Sequence, residues 1–293
     1  MTADRRAALA GTVAVLAADR RAVLAGAVAV LAAANVVNNR VAPRLAPLTS
    51  AAATCALLAL ARRSGLSWSE LGFHRGPPGL RIGGALASAV AGVYAVGIAV
   101  PATRRFFRDE RALSLSRARA LEEALLQVPV GTVLLEEVGF RGVLHALLTR
   151  SHGPRTATAV SSALFGLWHV LPAIDMMAAN PALSGLAAGE PPGGGPREED
   201  GRGEDGAAPD PPARASRWEA ARVVAGSVAA TGLAGVFFCE LRRRGGLAAP
   251  SLLHVATNSL GYLFARLAPA DPGSGGGRLT GSRGTGPEPP VRS

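Results

Sequence analysis

Glutamate, histidine and asparagine side chains stand in stretches of this sequence that are otherwise apolar. Glu136 and Glu137 fall in VGTVLLEEVGFRGVL, with Arg141 four residues after Glu137. His169 ends SSALFGLWH, and Phe165 lies one helical turn before it. His254 and Asn258 are four apart in SLLHVATNSLGYL, a spacing that puts both on one helix face. A carboxylate and an imidazole can take a proton from water, while an imidazole and an amide can donate to an oxyanion. The same donors would suit a zinc ion held by two histidines and a carboxylate, drawn from Glu136, His169 and His254. Ionisable groups in an apolar run also serve as proton relays in transporters. Each helix alone has a plainer explanation: His and Asn bond neighbouring membrane helices together, and Glu137 shares a face with Arg141 as its ion-pair partner. Glu136 lies about 100° round the helix from Glu137, which leaves it for a different partner. Charges at the bilayer centre cost about 2.5–3.5 kcal/mol on insertion scales. Three separate helices carrying such groups therefore point to a shared site.

A membrane must surround the elements that hold these residues. Of 293 residues, 48% are hydrophobic and 18% charged, against about 25% charged in soluble domains, and the mean hydropathy is +0.24. The formal charge is +10, carried by arginine with no lysine. Aromatic residues make up 4%, too few for base-stacking platforms, and the arginines flank apolar runs, so nucleic acid is not the expected partner. Cys55 and Cys239 are far apart with no CxxC spacing, which excludes a disulfide framework or thiolate zinc site.

The expected fold is all-α, a polytopic bundle of about seven transmembrane spans around a polar intramembrane site. A tandem repeat opens the chain, DRRAALAGTVAVLAA from Asp4 and DRRAVLAGAVAVLAA from Asp19. The first copy, within 1–21, reads as an extension. Apolar runs at Ala22–Val37, Leu45–Ala61 and Leu80–Val100 have lengths near the roughly 17–25 residues a crossing needs. The arginine-rich stretch Arg104–Arg119 reads as an interfacial helix closing an N-terminal region over 22–120. Further helices are expected from Leu121 past Arg141, at Ala157–Ala173, at Val223–Leu241 and at Leu247–Leu267. They form a core over 121–268, interrupted by a Gly, Pro, Glu and Asp-rich insertion at 185–217 that is expected to be disordered, as is the tail 269–293. Arg62–Arg63 and Arg242–Arg244 predict one cytoplasmic end and the acidic insertion the other, with Arg104–Arg119 then on the outer side, against the positive-inside pattern.

Together the motifs resemble those of the CPBP family, the CAAX-protease and bacteriocin-processing (Abi) proteins. The family pattern EExxxR, FxxxH, HxxxN is met without substitution by Glu136 to Arg141, Phe165 to His169 and His254 to Asn258, in that order. The resemblance covers about Leu121 to Ala268. It implies an intramembrane endopeptidase in which Glu136 and His169 activate water and His254 with Asn258 stabilises the oxyanion. Glu137, Arg141 and Phe165 would support the geometry. The family is commonly described as a metalloprotease, yet no HExxH is present, and a metal-free glutamate mechanism uses the same residues. The cofactor expectation is therefore either none tightly bound or Zn2+. The implied partners are the lipid bilayer and a membrane-associated peptide or protein substrate, and the implied location is a cell membrane of bacterial type, crossed many times. Two readings outside proteolysis remain: a non-catalytic bacteriocin-immunity or scaffold protein on the same fold, and a transporter. Against the transporter, the sequence shows no pair of broken helices and no inverted repeat.

Overall fold

In lipid a backbone must satisfy its own N–H and C=O groups, so long runs rich in Ala, Leu and Val fold as helices. The computed structural model describes residues 3–179, 181–189 and 212–268, with no strand among them. Helix α1 (Ala3–Val36) takes both copies of the repeat into one continuous helix and ends in a π turn over Val37–Val41. Helices α2 (Ala46–Arg63) and α3 (Gly76–Ala99) follow. The expected interfacial helix is instead a 3-10 segment (Pro101–Phe107) and two short helices, α4 (Glu110–Ser114) and α5 (Arg117–Glu122). Asp109 and Ser116 break it, each turning its side chain onto the N–H groups that start the next helix.

The chain then runs through a π segment (Glu123–Val133), α6 (Leu134–Glu136) and a second π segment (Glu137–Leu144). It continues into α7 (His145–Trp168), α8 (Val170–Ala179) and α9 (Pro181–Ala187), and ends with α10 (Pro212–Gly245) and α11 (Ala248–Leu267). Helices α9 and α10 thus reach into the expected insertion from both sides. Its middle, 190–211, and the tail from 269 lie outside the described residues.

The protein is a multi-pass, all-helical membrane protein. Five helical stretches among the described residues are long and apolar enough to cross a bilayer: Arg20–Val41, Pro43–Arg63, Gly76–Ala99, Arg117–Met177 and Ala220–Gly245. The fourth is 61 residues long. Straight, it would reach about 90 Å, three hydrocarbon thicknesses. Gly153, at φ 81° and ψ 166°, folds it back, so it holds both expected spans on either side of the bend. Helix α11, 20 residues long, is not among the five, because His254, Asn258 and Arg266 lower its hydropathy.

Packing brings the polar residues inward. Helix α11 lies along α3 and the first π segment, α10 along α7, and α2 along the first π segment. Leu31, Leu57, Leu135, Phe140, Leu144 and Phe165 are buried in the core between them. Helix α3 makes its closest approach at two glycines. A Cβ on Gly79 would stand 2.1 Å from the Gly245 carbonyl oxygen, and one on Gly83 would stand 2.9 Å from that of Ala249. This is close small-residue packing of membrane helices. Gly79→Ala must push two backbones apart, an overpacking cost of about 1–3 kcal/mol. The expected result is a lower melting temperature in detergent, whereas Gly84→Ala, where a Cβ meets nothing within 4 Å, leaves it unchanged.

At least three of the six arginines of 104–119, on the sequence reading an excess at the outer end, are committed to local partners. Arg104 donates to the Ile98 and Ala99 carbonyls at the end of α3, and Arg111 pairs with Asp109. Arg119 pairs with Glu122 and Glu123. Cations at helix C-termini and beside carboxylates are satisfied where they stand.

Candidate active site

The two π segments set the site. A π turn bonds residue i to i+5 and is rare outside functional positions. In the first segment, Pro129 has no N–H to donate one such turn back, and the Ala124 carbonyl accepts instead from Ser259 Oγ of α11 at 2.7 Å. In the second, the Phe140 carbonyl accepts from Ser161 Oγ of α7 at 2.8 Å. Serines on the neighbouring helices thus bond to a carbonyl in each wide turn, and the Phe140 carbonyl also accepts from the His145 N–H.

At this place Glu136, Glu137, Arg141 and His254 are 3%, 1%, 1% and 5% exposed. His254 lies between the two glutamates. Its Nδ1 is 2.8 Å from Glu137 Oε1, and its Nε2 is 3.6 Å from Glu136 Oε2. Neighbouring glutamates therefore address the same ring, where an α-helical step of about 100° would turn them to different partners.

Arg141 Nη1 is 3.3 Å from Glu137 Oε1, so the expected ion pair is present. Neither Nη atom makes a directed hydrogen bond. The guanidinium lies over aromatic faces instead, its Cζ 3.7 Å from the Phe165 ring centre and 4.8 Å from that of Phe238. Phe165 is the hub of this packing, edge-on to His169 at 4.6 Å and to His254 at 6.1 Å.

The structure does not bring every expected residue in. His169 caps α7, and its Nδ1 is 2.8 Å from the Phe165 carbonyl oxygen, an acceptor only, so the ring proton is assigned to Nδ1. It stands at the border of the cluster through Phe165. Asn258, one turn beyond the buried His254, is exposed, and no hydrogen bond ties it to the carboxylates. The zinc set of Glu136, His169 and His254 does not converge. Among the described residues no three His, Cys, Asp or Glu side chains are grouped as one metal ion requires, with His254 Nδ1 turned to Glu137 and His169 Nδ1 to a carbonyl. The chemistry derived from this cluster is that of its own carboxylates and rings.

Two contributors are absent from the motif reading. Trp168 Nε1 donates to Glu136 Oε1 at 2.8 Å, and Asn35 Nδ2 of α1 donates to the Trp168 carbonyl at 3.0 Å. Both left a signal in the sequence. A half-buried indole N–H needs an acceptor, and an asparagine in an apolar span needs an interhelical partner. Glu136 Oε1 is thereby fixed, while its Oε2 is buried and accepts no hydrogen bond.

Residues 123–260 match the family model described as type II CAAX prenyl endopeptidase Rce1-like. No curated protein and no solved structure matches the chain. The matched stretch runs from the first π segment through the Ser259 contact that braces it, and holds all three motifs. Over residues 123–260, then, this membrane protein is similar to the Rce1-like type II CAAX prenyl endopeptidases.

Proposed function

We propose that the chain is an intramembrane endopeptidase in which Glu136 and His254 hold the attacking water. The observation that carries this reading is the pair of acceptors facing each other across 3.6 Å, Glu136 Oε2 and His254 Nε2. With Glu137 against Nδ1 at 2.8 Å, the His254 proton sits on Nδ1 and Nε2 presents a lone pair. Two acceptors slightly beyond direct contact suit one bridging water. That water donates a hydrogen to each, and its oxygen lone pairs turn outward to a substrate carbonyl carbon.

Attack forms the C–O bond and moves charge to the carbonyl oxygen. Glu136 takes the water proton and delivers it to the leaving amine as the C–N bond breaks. The Asn258 amide, uncommitted to the carboxylates, supplies the oxyanion donor in this reading. His169, its Nδ1 held by the Phe165 carbonyl, is the second imidazole for proton transfer. His254 is thus assigned to the water, where the motif resemblance assigned it to the oxyanion.

The substrate class follows the family description, a membrane-associated peptide ending in CAAX with a prenylated cysteine. A quenched-fluorescent peptide of that kind, its unprenylated analogue and a membrane-anchored peptide without CAAX form the test panel. Cleavage of the prenylated peptide, dependent on Glu136, is expected. Absence of Glu136-dependent cleavage across the panel sinks the reading.

Trp168→Phe keeps a ring in place and removes the donor that fixes Glu136 Oε1. One hydrogen bond to a charged group is worth roughly 1.5–3 kcal/mol. We expect kcat to fall about tenfold or more with KM unchanged, together with a modest drop in melting temperature from the acceptor left unpaired. An unchanged kcat would remove Trp168 from the positioning of the base.

A further inference from the structure

Away from the glutamate cluster, a cavity of about 390 Å³ opens in the crook of the Gly153 bend, between α7, the end of α10 and the 64–75 loop. Its size falls in the roughly 300–1,000 Å³ range of small-ligand sites. The two regions are neighbours with different faces. Phe238 packs on His254, while Cys239, next in the chain, lines the cavity.

Charges around the cavity are paired, with one exception. Arg150 holds Glu70 through two hydrogen bonds of 2.7 and 2.8 Å. Those bonds keep the Glu70 carboxyl down at about 2, so it stays ionised and committed. Arg243 holds Glu240 in the same way, at 2.7 and 2.6 Å. Arg242 also lines the cavity, is half-buried and has no carboxylate partner. Its Nη2 donates to the Glu70 backbone carbonyl, and its buried Nε has no partner. A cation partly withdrawn from water without a counter-charge is unfavourable until an anion meets it. The rest of the wall adds no second charge at this point: His145 is buried there between two hydroxyls, its Nε2 3.3 Å from Thr158 Oγ1 and its Nδ1 3.3 Å from Thr149 Oγ1.

Position selects the anion. Arg62, Arg63, Arg150 and Arg242–Arg244 gather at this end of the bundle, where Arg150 and Arg242 both reach Glu70. Such an end lies at headgroup depth, and basic pockets between membrane helices take up anionic headgroups. We propose that this cavity is a binding site for one anionic phosphate group, with Arg242 as its charged ligand and the His145–Thr158 pair as neutral contacts.

The test adds phosphatidylglycerol, phosphatidylcholine or inorganic phosphate to the purified full chain and counts bound molecules by native mass spectrometry. One phosphatidylglycerol per chain is expected, in preference to phosphatidylcholine. Arg242→Gln keeps a donor for the Glu70 carbonyl and should weaken that binding roughly tenfold or more. Arg242→Lys should restore most of it. Arg244→Gln, a neighbouring charge outside the cavity wall and paired with Glu240, should leave it intact. Inorganic phosphate that binds alone, and displaces the lipid only when Arg242 is present, would support the site and assign it to a free anion. Equal weakening by Arg242→Gln and Arg244→Gln, or equal binding of both lipids, would overturn the proposal.

Discussion

Glu136→Gln should abolish most turnover while leaving the protein folded. The substitution keeps an oxygen for Trp168 Nε1 and nearly the same volume, so the hydrogen bond that orients the side chain survives. What changes is the second position. Oε2, an acceptor with no hydrogen bond and 3.6 Å from His254 Nε2, becomes an amide N–H₂. An amide there donates to the His254 lone pair directly, where water would otherwise bridge two acceptors, and it takes no proton. General-base assistance is typically worth about 10²–10⁴ in rate, so kcat on a cleaved peptide should fall by at least that order. The melting temperature should hold, since neutralising one of two buried carboxylates removes repulsion as well as attraction. Near-normal cleavage by Glu136→Gln would show that another group activates the water. Loss of cleavage with the full biological phenotype retained would favour the non-catalytic reading.

That substitution could be named from sequence because charge inside an apolar run is conspicuous. Glu136, Glu137, Arg141, His169 and His254 were legible one by one for that reason, and their order on separate helices made the family visible. The helical class was equally legible, since apolar runs of this length leave a chain in lipid few alternatives. The π segments left no such trace. Pro129 is visible in the sequence, but the contacts of Ser161 and Ser259 on carbonyls of these segments come from other helices and are tertiary information. The shared approach of Glu136 and Glu137 to His254 depends on where α11 packs, which a helical wheel of one segment does not hold. The i,i+4 spacing of His254 and Asn258 placed both on one face but carried nothing about depth, and one is buried while the other is exposed. At 104–119, charge density suggested one interfacial helix, and the local capping by Asp109 and Ser116 divided it.

Arg141→Ala should cost the fold before it costs the chemistry. Arg141 is 1% exposed, beside Glu137 at 3.3 Å and over the Phe165 and Phe238 rings. Its removal leaves Glu137 facing His254 with no fixed cation, and opens a void between two aromatic side chains. Breaking a buried pair by taking one partner costs about 3–5 kcal/mol, a large share of the roughly 5–15 kcal/mol that holds a domain together. The expected result is a steep drop in monodisperse protein on size exclusion in detergent, with activity falling in proportion to the folded fraction. Arg141→Lys keeps the charge but not the planar group that stacks on Phe165, so it should recover only part of the loss. The decisive variant removes both charges. In Glu137→Gln with Arg141→Met, the amide oxygen still accepts from His254 Nδ1 and methionine fills the space over the rings. If the penalty of Arg141→Ala is an uncompensated carboxylate, the double variant should regain most of the folded protein, because a buried pair replaced whole is close to neutral. If it is as unstable as Arg141→Ala, the guanidinium acts through its packing on the two rings, and the charge pairing read from the EExxxR spacing is incidental.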